Sequence, residues 1–501
     1  MSKKKEKHKA KPSEKIDSSK SKKWIWTLAL AFIALIAYQG IGDNEYLNYD
    51  DDVYITSNPL ITNLDWNTLF TETYLNQYSP LAMGVMGLEF QVFGQDSPWI
   101  RYISVLLHLL NSLLLIKVMS FWDKERKWSY IIGLLFLLQP MNVESVAWIA
   151  ASMKIGTFAL FFLSSVFYYQ KYLNSSRALD LAISWLLFLM SCFCKEQAVV
   201  LPIVLMALDT AYDNGLFKKS RLLQKVPFLL VSIIFGLVTL EASRSAEVEQ
   251  VVYAFNLGER ILFSFYAVGM YVVKTFIPFD LSMFYTYPVQ GAIPFYYFII
   301  ALIPLCLVYF MVKWYKKDEN LLFFGAAFFF VNVALPAFIS ILSVRDVIMA
   351  DRYTYLPSVG LFMIALVLAS RAKNSFVKWL PYGLAFLFFI STFQRVEVFQ
   401  DSGTLFTDII EKGTNGEKAN PYLAMPYNNR GVFSKKKKDL KRALADYEKA
   451  IEINPKYASS YLNRGNIAFD AGRDSQALKD YDKTLSLDPK NAKALSSRGS
   501  V

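Results

Sequence analysis

Histidine is almost missing from this 501-residue chain: His8 and His108 are the whole complement. Two imidazoles, one of them in a basic tail, exclude a multi-histidine metal site and leave only His108 for a Ser–His–Asp arrangement. Cysteine is nearly as scarce. Cys192, Cys194 and Cys306 all lie in apolar runs, so no disulfide framework is implied, and Cys192-x-Cys194 lacks metal-ligand spacing. No Walker-type or Rossmann glycine pattern is present to cradle a nucleotide. Finally, residues 41–98 contain no Lys or Arg against nine acids.

What the chain has in excess is apolar surface. It is 54% hydrophobic, with a mean hydropathy of +0.28, which points to an integral membrane protein. Of the net charge of +11, residues 1–23 supply +7, from ten Lys against three acids. That stretch reads as a solvated cytoplasmic tail that sets topology rather than as a nucleic-acid arm, and 24–40 as an uncleaved signal anchor. Spans are expected at 24–40, 99–121, 128–143, 154–172, 178–194, 197–213, 224–242, 294–314, 321–343, 356–371 and 376–394. With 259–277 taken as a re-entrant or interfacial helix, the basic stretches 121–128, 213–225, 313–317 and 371–378 all fall on the cytoplasmic side. The expectation is therefore an all-α polytopic bundle of about eleven crossings over 24–394, with an outer loop at 41–98. A juxtamembrane linker follows at 395–423, and everything beyond residue 395 lies outside. Low cysteine and the long basic tail point to a bacterial inner membrane rather than an endoplasmic reticulum membrane.

From residue 421 the chain turns polar and repeats itself every 34 residues. Pro421, Pro455 and Pro489 keep that spacing, as do Tyr427 and Tyr461, Ala443-Leu444 and Ala477-Leu478, and Tyr447 and Tyr481. This is the tetratricopeptide pattern of stacked helical hairpins, an α-solenoid. Units are expected at 424–457 and 458–491, with a partial unit at 492–501. Asn429 and Asn463 recur in register as candidates for a peptide-binding groove. Arg430, Arg464 and Arg498 recur too, and read as packing within the hairpins.

Polar groups at membrane depth are costly and tend to be functional. In this topology they gather on the outer side: Asp50–Asp52, residues 139–148 with Glu144, Lys195-Glu196, and 345–357 with Asp351, Arg352 and Tyr353. Each has a plainer reading. Lys195-Glu196 can be a short-turn ion pair, Gln139-Pro140 a helix end, Arg352 a snorkelling side chain, and the aspartates simply solvated. Together they suit a lipid phosphate held by Arg352 or Lys195 and a carboxylate that takes a proton from an incoming hydroxyl. A lipid-linked sugar as donor and a protein hydroxyl as acceptor would use both.

The order of motifs resembles the transmembrane and tetratricopeptide repeat-containing (TMTC) proteins, a branch of the GT-C glycosyltransferase superfamily similar to protein O-mannosyltransferases. It rests on Asp50-Asp51 followed by Ile55 and Asn58-Pro59, on Tyr78-Ser79-Pro80-Leu81, and on "VESVAW" at 143–148. Lys195-Glu196 with Pro202 and Asp209, "MADRYTYLPSVG" at 349–360, and the repeats complete it. The resemblance implies a polyprenyl-phosphate sugar donor and Ser/Thr acceptors on the non-cytoplasmic face. It implies Asp50, with Asp51 beside it, as base or as donor or metal contact, and Arg352 at the lipid phosphate. Tyr78, Glu144, Glu196, Asp351 and Tyr353 are supporting positions, and a divalent cation at Asp50–Asp52 is left open. The chain departs from the pattern at Ser79, at Gln139 and at Ser152-Met153-Lys154. Two other readings stand beside the enzyme: a membrane-anchored repeat scaffold that recruits envelope proteins, and a transporter.

Overall fold

The structure is a computed structural model that describes residues 18–74, 77–123, 127–213, 219–244, 255–342, 347–413 and 420–501. Most of the basic tail, and Arg345 and Asp346 of the 345–357 stretch, lie outside the described residues. Among those described there is no β-strand, only an isolated bridge between Tyr74 and Gln77.

The chain runs through α1 (Ser18–Ala37), α2 (Pro80–Phe93), α3 (Trp99–Met119), α4 (Lys127–Leu138), α5 (Ile149–Ser175) and α6 (Ala178–Cys194). It continues through α7 (Leu201–Asp213), α8 (Lys219–Arg244), α9 (Leu257–Phe276), α10 (Leu302–Lys316), α11 (Asn320–Leu342), α12 (Pro357–Arg371) and α13 (Ser375–Val398). Local chemistry sets several of their ends. Gly40, at φ 80, stops the chain just after α1. Asp123 accepts from the amides of Trp128 and Ser129 and so ties down the start of α4. Asn256 and Glu259 close a capping box on α9.

Among the described residues, six helices are long and apolar enough to span a bilayer. A seventh candidate, 128–147, is bent by 48° where Gln139-Pro140 breaks the ladder, and the Asn142 amide caps the loose Phe136 carbonyl. The span expected at 128–143 is thus interrupted by a bend. In α5, 78% of the apolar window is buried, which makes it the centre of the bundle. In α8, α10 and α13 only 17–22% is buried. They turn Leu230, Ile234, Leu237, Tyr309, Phe386 and Leu387 outward. Apolar surface of that extent belongs against lipid, and the chain is a multi-pass membrane protein.

Both ends of α9 meet the same layer. Near its start, Arg260 donates to the Ile341 carbonyl at the end of α11. Near its finish, Tyr271 accepts from the Ala350 amide, and the Thr275 carbonyl accepts from Gln139. The helix therefore lies along one end of the bundle, the end that carries residues 41–98. At the opposite end Asp209 accepts from Tyr169, Arg221 and Lys225, which staples α5, α7 and α8.

After α13, α14 (Ser402–Gly413) turns back onto the loop end, where Lys412 donates to the Leu281 carbonyl at 2.6 Å and Asn420 to that of Tyr287 at 2.9 Å. The hairpins α15 (Ala424–Lys436) with α16 (Leu440–Ile453), and α17 (Ala458–Asp470) with α18 (Asp474–Leu487), stack next, followed by α19 (Ala492–Gly499).

Candidate functional site

The three consecutive aspartates have three environments. Asp50 is half-buried and Asp52 exposed, whereas Asp51 is fully buried. The carboxylate of Asp51 accepts from the Leu47 amide with one oxygen and from the Ala150 amide with the other, each at 2.8 Å. Ala150 lies in the first turn of α5, where the unpaired amides favour negative charge. Burial nevertheless pushes the Asp51 carboxyl up to about 7 against the pull of those two amides, and the charge on Asp50 adds to the rise. Asp51 thus ties the acidic loop to the central helix and leaves Asp50 half-buried beside it. The run does not fit a three-carboxylate cation site. Both oxygens of Asp51 face N–H donors, and among the described residues no three His, Cys, Asp or Glu side chains converge.

Beside this loop, "VESVAW" and "DRY" meet. Glu144 is buried at the break before α5 and accepts from both the guanidinium and the backbone amide of Arg352. The guanidinium also stands 5.3 Å from the Trp148 ring and 5.0 Å from that of Tyr353. Tyr49, next to Asp50, lies 5.7 Å from Trp148, so the two motifs share one aromatic wall. Behind Arg352, Asp351 accepts from the Tyr285 hydroxyl at 2.8 Å. Burial and the charge of Glu144 raise its carboxyl, while Arg395 and Lys274 pull the other way.

The third group is Lys195-Glu196, at the short break after α6, where the ammonium and carboxylate are 3.8 Å apart. Near them is a residue that sequence reasoning had not chosen for the site. Lys154, one turn into α5, lies within electrostatic reach of Asp50, Asp51, Lys195 and Glu196. It donates to the Gln77 amide oxygen at 2.7 Å and sits 4.0 Å over the Tyr54 ring. Its signal in the sequence is a lone lysine near the start of a long apolar run. Tyr78 does different work. Its hydroxyl is spent on the Phe70 carbonyl and its ring packs on Phe193 and Phe235, while its neighbour Gln77 reaches Lys154. His108 is core, held between the Tyr355 hydroxyl and the Leu137 carbonyl.

In the repeats, Arg430 grips Asp446 and Arg464 grips Asp480 through paired hydrogen bonds of 2.7–3.0 Å within each hairpin. Asn463 donates to Asn428 of the preceding repeat, and Asn429 is taken up by Asn428 and Met425 within its own, so both groove candidates are engaged in the packing of the repeats. The Asn429 carbonyl also accepts from Asn48 at 2.9 Å, two residues before Asp50. The first repeat is therefore docked against the acidic loop.

Known proteins match in two parts. The tetratricopeptide repeat family matches residues 424–457, and a second tetratricopeptide repeat profile matches 446–479. Protein O-mannosyl-transferase tmtc2 of Xenopus laevis is 29% identical over 229 residues, 40% of this chain and 26% of that protein. Human protein O-mannosyl-transferase TMTC2 is 28% identical over 221 residues, 39% and 26% of the two chains. The match thus spans about a quarter of the length of these curated relatives. Fold and repeats together define a multi-pass helical membrane protein with a tetratricopeptide module, a module suited to protein–protein contacts. Its likeness to these relatives makes it TMTC-like.

Proposed function

We propose that the protein is a membrane glycosyltransferase that moves a sugar from a polyprenyl-phosphate donor to a hydroxyl, that of a protein Ser or Thr, on the non-cytoplasmic face. The observation that carries this reading is the meeting of the acidic loop, the Glu144–Arg352 pair and the Lys154–Lys195 group at one end of the bundle, with the first repeat docked on the same loop. The printed names of the curated relatives support it. The topology that goes with it has about eleven crossings, a cytoplasmic N-terminus and periplasmic repeats, in a bacterial inner membrane.

In this reading Asp50 takes the proton of the acceptor hydroxyl while Asp51 holds the loop that positions it. The acceptor oxygen bonds to the anomeric carbon from the side opposite the phosphate. The bond between that carbon and the phosphate oxygen breaks, and its electron pair leaves with the phosphate. Lys195 stabilises the charge that grows there, while Arg352, held by Glu144, fixes the adjoining loop. The repeats hold the acceptor protein near the loop.

Intact-glycopeptide mass spectrometry of envelope proteins tests this, comparing cells with the native protein, with Asp50→Asn and with the gene deleted. The expected result is one sugar mass lost from the same peptides in both altered strains. Unchanged glycopeptides in the deletion strain would refute protein glycosylation. A deletion phenotype that removal of 424–501 reproduces and Asp50→Asn does not would favour the scaffold.

A further inference from the structure

The positive charges at the loop end are not equally available. Arg352 is committed to Glu144 through both side chain and backbone. Arg395 and Lys412 share Asp408. Lys274 donates to the carbonyls of Phe279 and Asp280. Lys154 differs from these in having a single hydrogen-bond acceptor among the described residues. Its side chain is buried, yet its hydrogen-bond acceptor is the neutral amide oxygen of Gln77, and its other contact is the face of Tyr54. A buried ammonium held by neutral partners keeps two of its three protons uncommitted and is costly unless an anion completes it. The adjacent buried carboxylate, Asp51, is already satisfied by the Leu47 and Ala150 amides.

Lys195 lies close enough to Lys154 for their charges to oppose each other, and its own carboxylate partner stands at 3.8 Å, beyond hydrogen-bond distance. Two ammonium groups whose charges oppose each other, neither with a carboxylate within hydrogen-bond distance among the described residues, form a seat that a tetrahedral oxyanion fits better than a single carboxylate. Such an anion offers several acceptor oxygens and can bridge both. The seat lies at the start of α5 and the end of α6, within electrostatic reach of Asp50.

We infer that Lys154 and Lys195 together seat the phosphate of the lipid-linked donor, with Lys154 as its buried anchor and Arg352 as a positioning residue for the adjoining loop. This rests on the glycosyl-transfer reading above. It assigns a binding role to a residue that breaks the motif pattern, and it places the leaving group between α5 and α6 rather than against "DRY".

Binding to the purified full chain in nanodiscs, with farnesyl phosphate, farnesol and inorganic phosphate as probes, tests the seat. The native protein should bind farnesyl phosphate at least tenfold more tightly than farnesol. Lys154→Gln should remove that preference and leave farnesol binding unchanged, and Lys154→Arg should restore most of it. An equal preference in Lys154→Gln and the native protein would overturn the inference, as would a native protein that does not distinguish the phosphate from the alcohol. Inorganic phosphate that binds as tightly as farnesyl phosphate would overturn the lipid source. Unchanged farnesol binding serves as the check that the variant is folded. Glycopeptides read the reaction separately: a normal glycopeptide pattern in cells carrying Lys154→Gln sinks the seat and leaves the transferase standing.

Discussion

At the scale of single residues, the run Asp50–Asp52 shows how far identical side chains diverge once folded. The Asp51 carboxyl titrates near 7 in the folded chain, against an unperturbed 3.8. Between those values the folded chain keeps a proton that the unfolded chain has lost. Its contribution to stability is therefore greatest below about 3.8, falls as pH rises, and is fully lost above about 7. Asp51→Asn cannot ionise, so its melting temperature between pH 4 and 7 should depend less on pH than that of the native protein. A parallel pair of profiles would show that Asp51 is ionised throughout. None of this could be read along the chain, because the amide that fixes Asp51 belongs to Ala150, 99 positions away. Lys154 is visible in the sequence only as a departure from the family pattern, and its surroundings are hidden for the same reason: its acceptor, Gln77, is 77 positions away, and it lies in a run whose composition says only that it is apolar.

At the scale of elements, apolar runs and the 34-residue repeat made the helices and hairpins readable, since both are local patterns. The breaks were harder. Gln139-Pro140 bends its span because proline withholds an amide, but the place of Glu144 beyond the bend depends on contacts with Arg352. The helix α2, 14 residues long, is about 21 Å by helical rise, too short to span a core of about 30 Å, and it folds into the loop instead. Helix pairing was also beyond the linear pattern. α11 and α12 approach so closely at Gly325 and Gly360 that a β-carbon on Gly360 would stand 2.2 Å from the Gly325 carbonyl oxygen. Small residues at a crossing let two backbones touch, which replaces the hydrophobic drive that lipid removes. Gly360→Ala should therefore lower stability by roughly 1–3 kcal/mol through overpacking, despite alanine's better helix propensity. Gly383→Ala, in α13 with nothing within 4 Å of the added carbon, should leave the melting temperature unchanged or raise it. If the two variants melt alike, the close crossing does not exist.

At the scale of the whole molecule, the docking of the repeats constrains topology in a way no single span does. The Glu45 amide donates to the Gln400 carbonyl at 2.7 Å, the Asn48 amide to the Ser402 hydroxyl at 2.9 Å, and Lys437 pairs with Glu45. A chain segment cannot touch another across a bilayer, so residues 41–98 and the repeats share one side, and the number of crossings between them is even. The Lys437–Glu45 pair is exposed and screened by water, so the backbone contacts and the packing of α14 set the arrangement. Glu45→Cys and Lys437→Cys together, in a chain whose three native cysteines are replaced by Ser, should be joined by a short bifunctional maleimide that spans the length of the original ion pair. Each alone should react with a membrane-impermeant maleimide added from the same side. Labelling from opposite sides, with no cross-link, would break both the parity argument and the route by which the repeats bring an acceptor to Asp50. Labelling from one side without a cross-link would keep the parity but detach the repeats, and the acceptor would then have to reach the loop by diffusion.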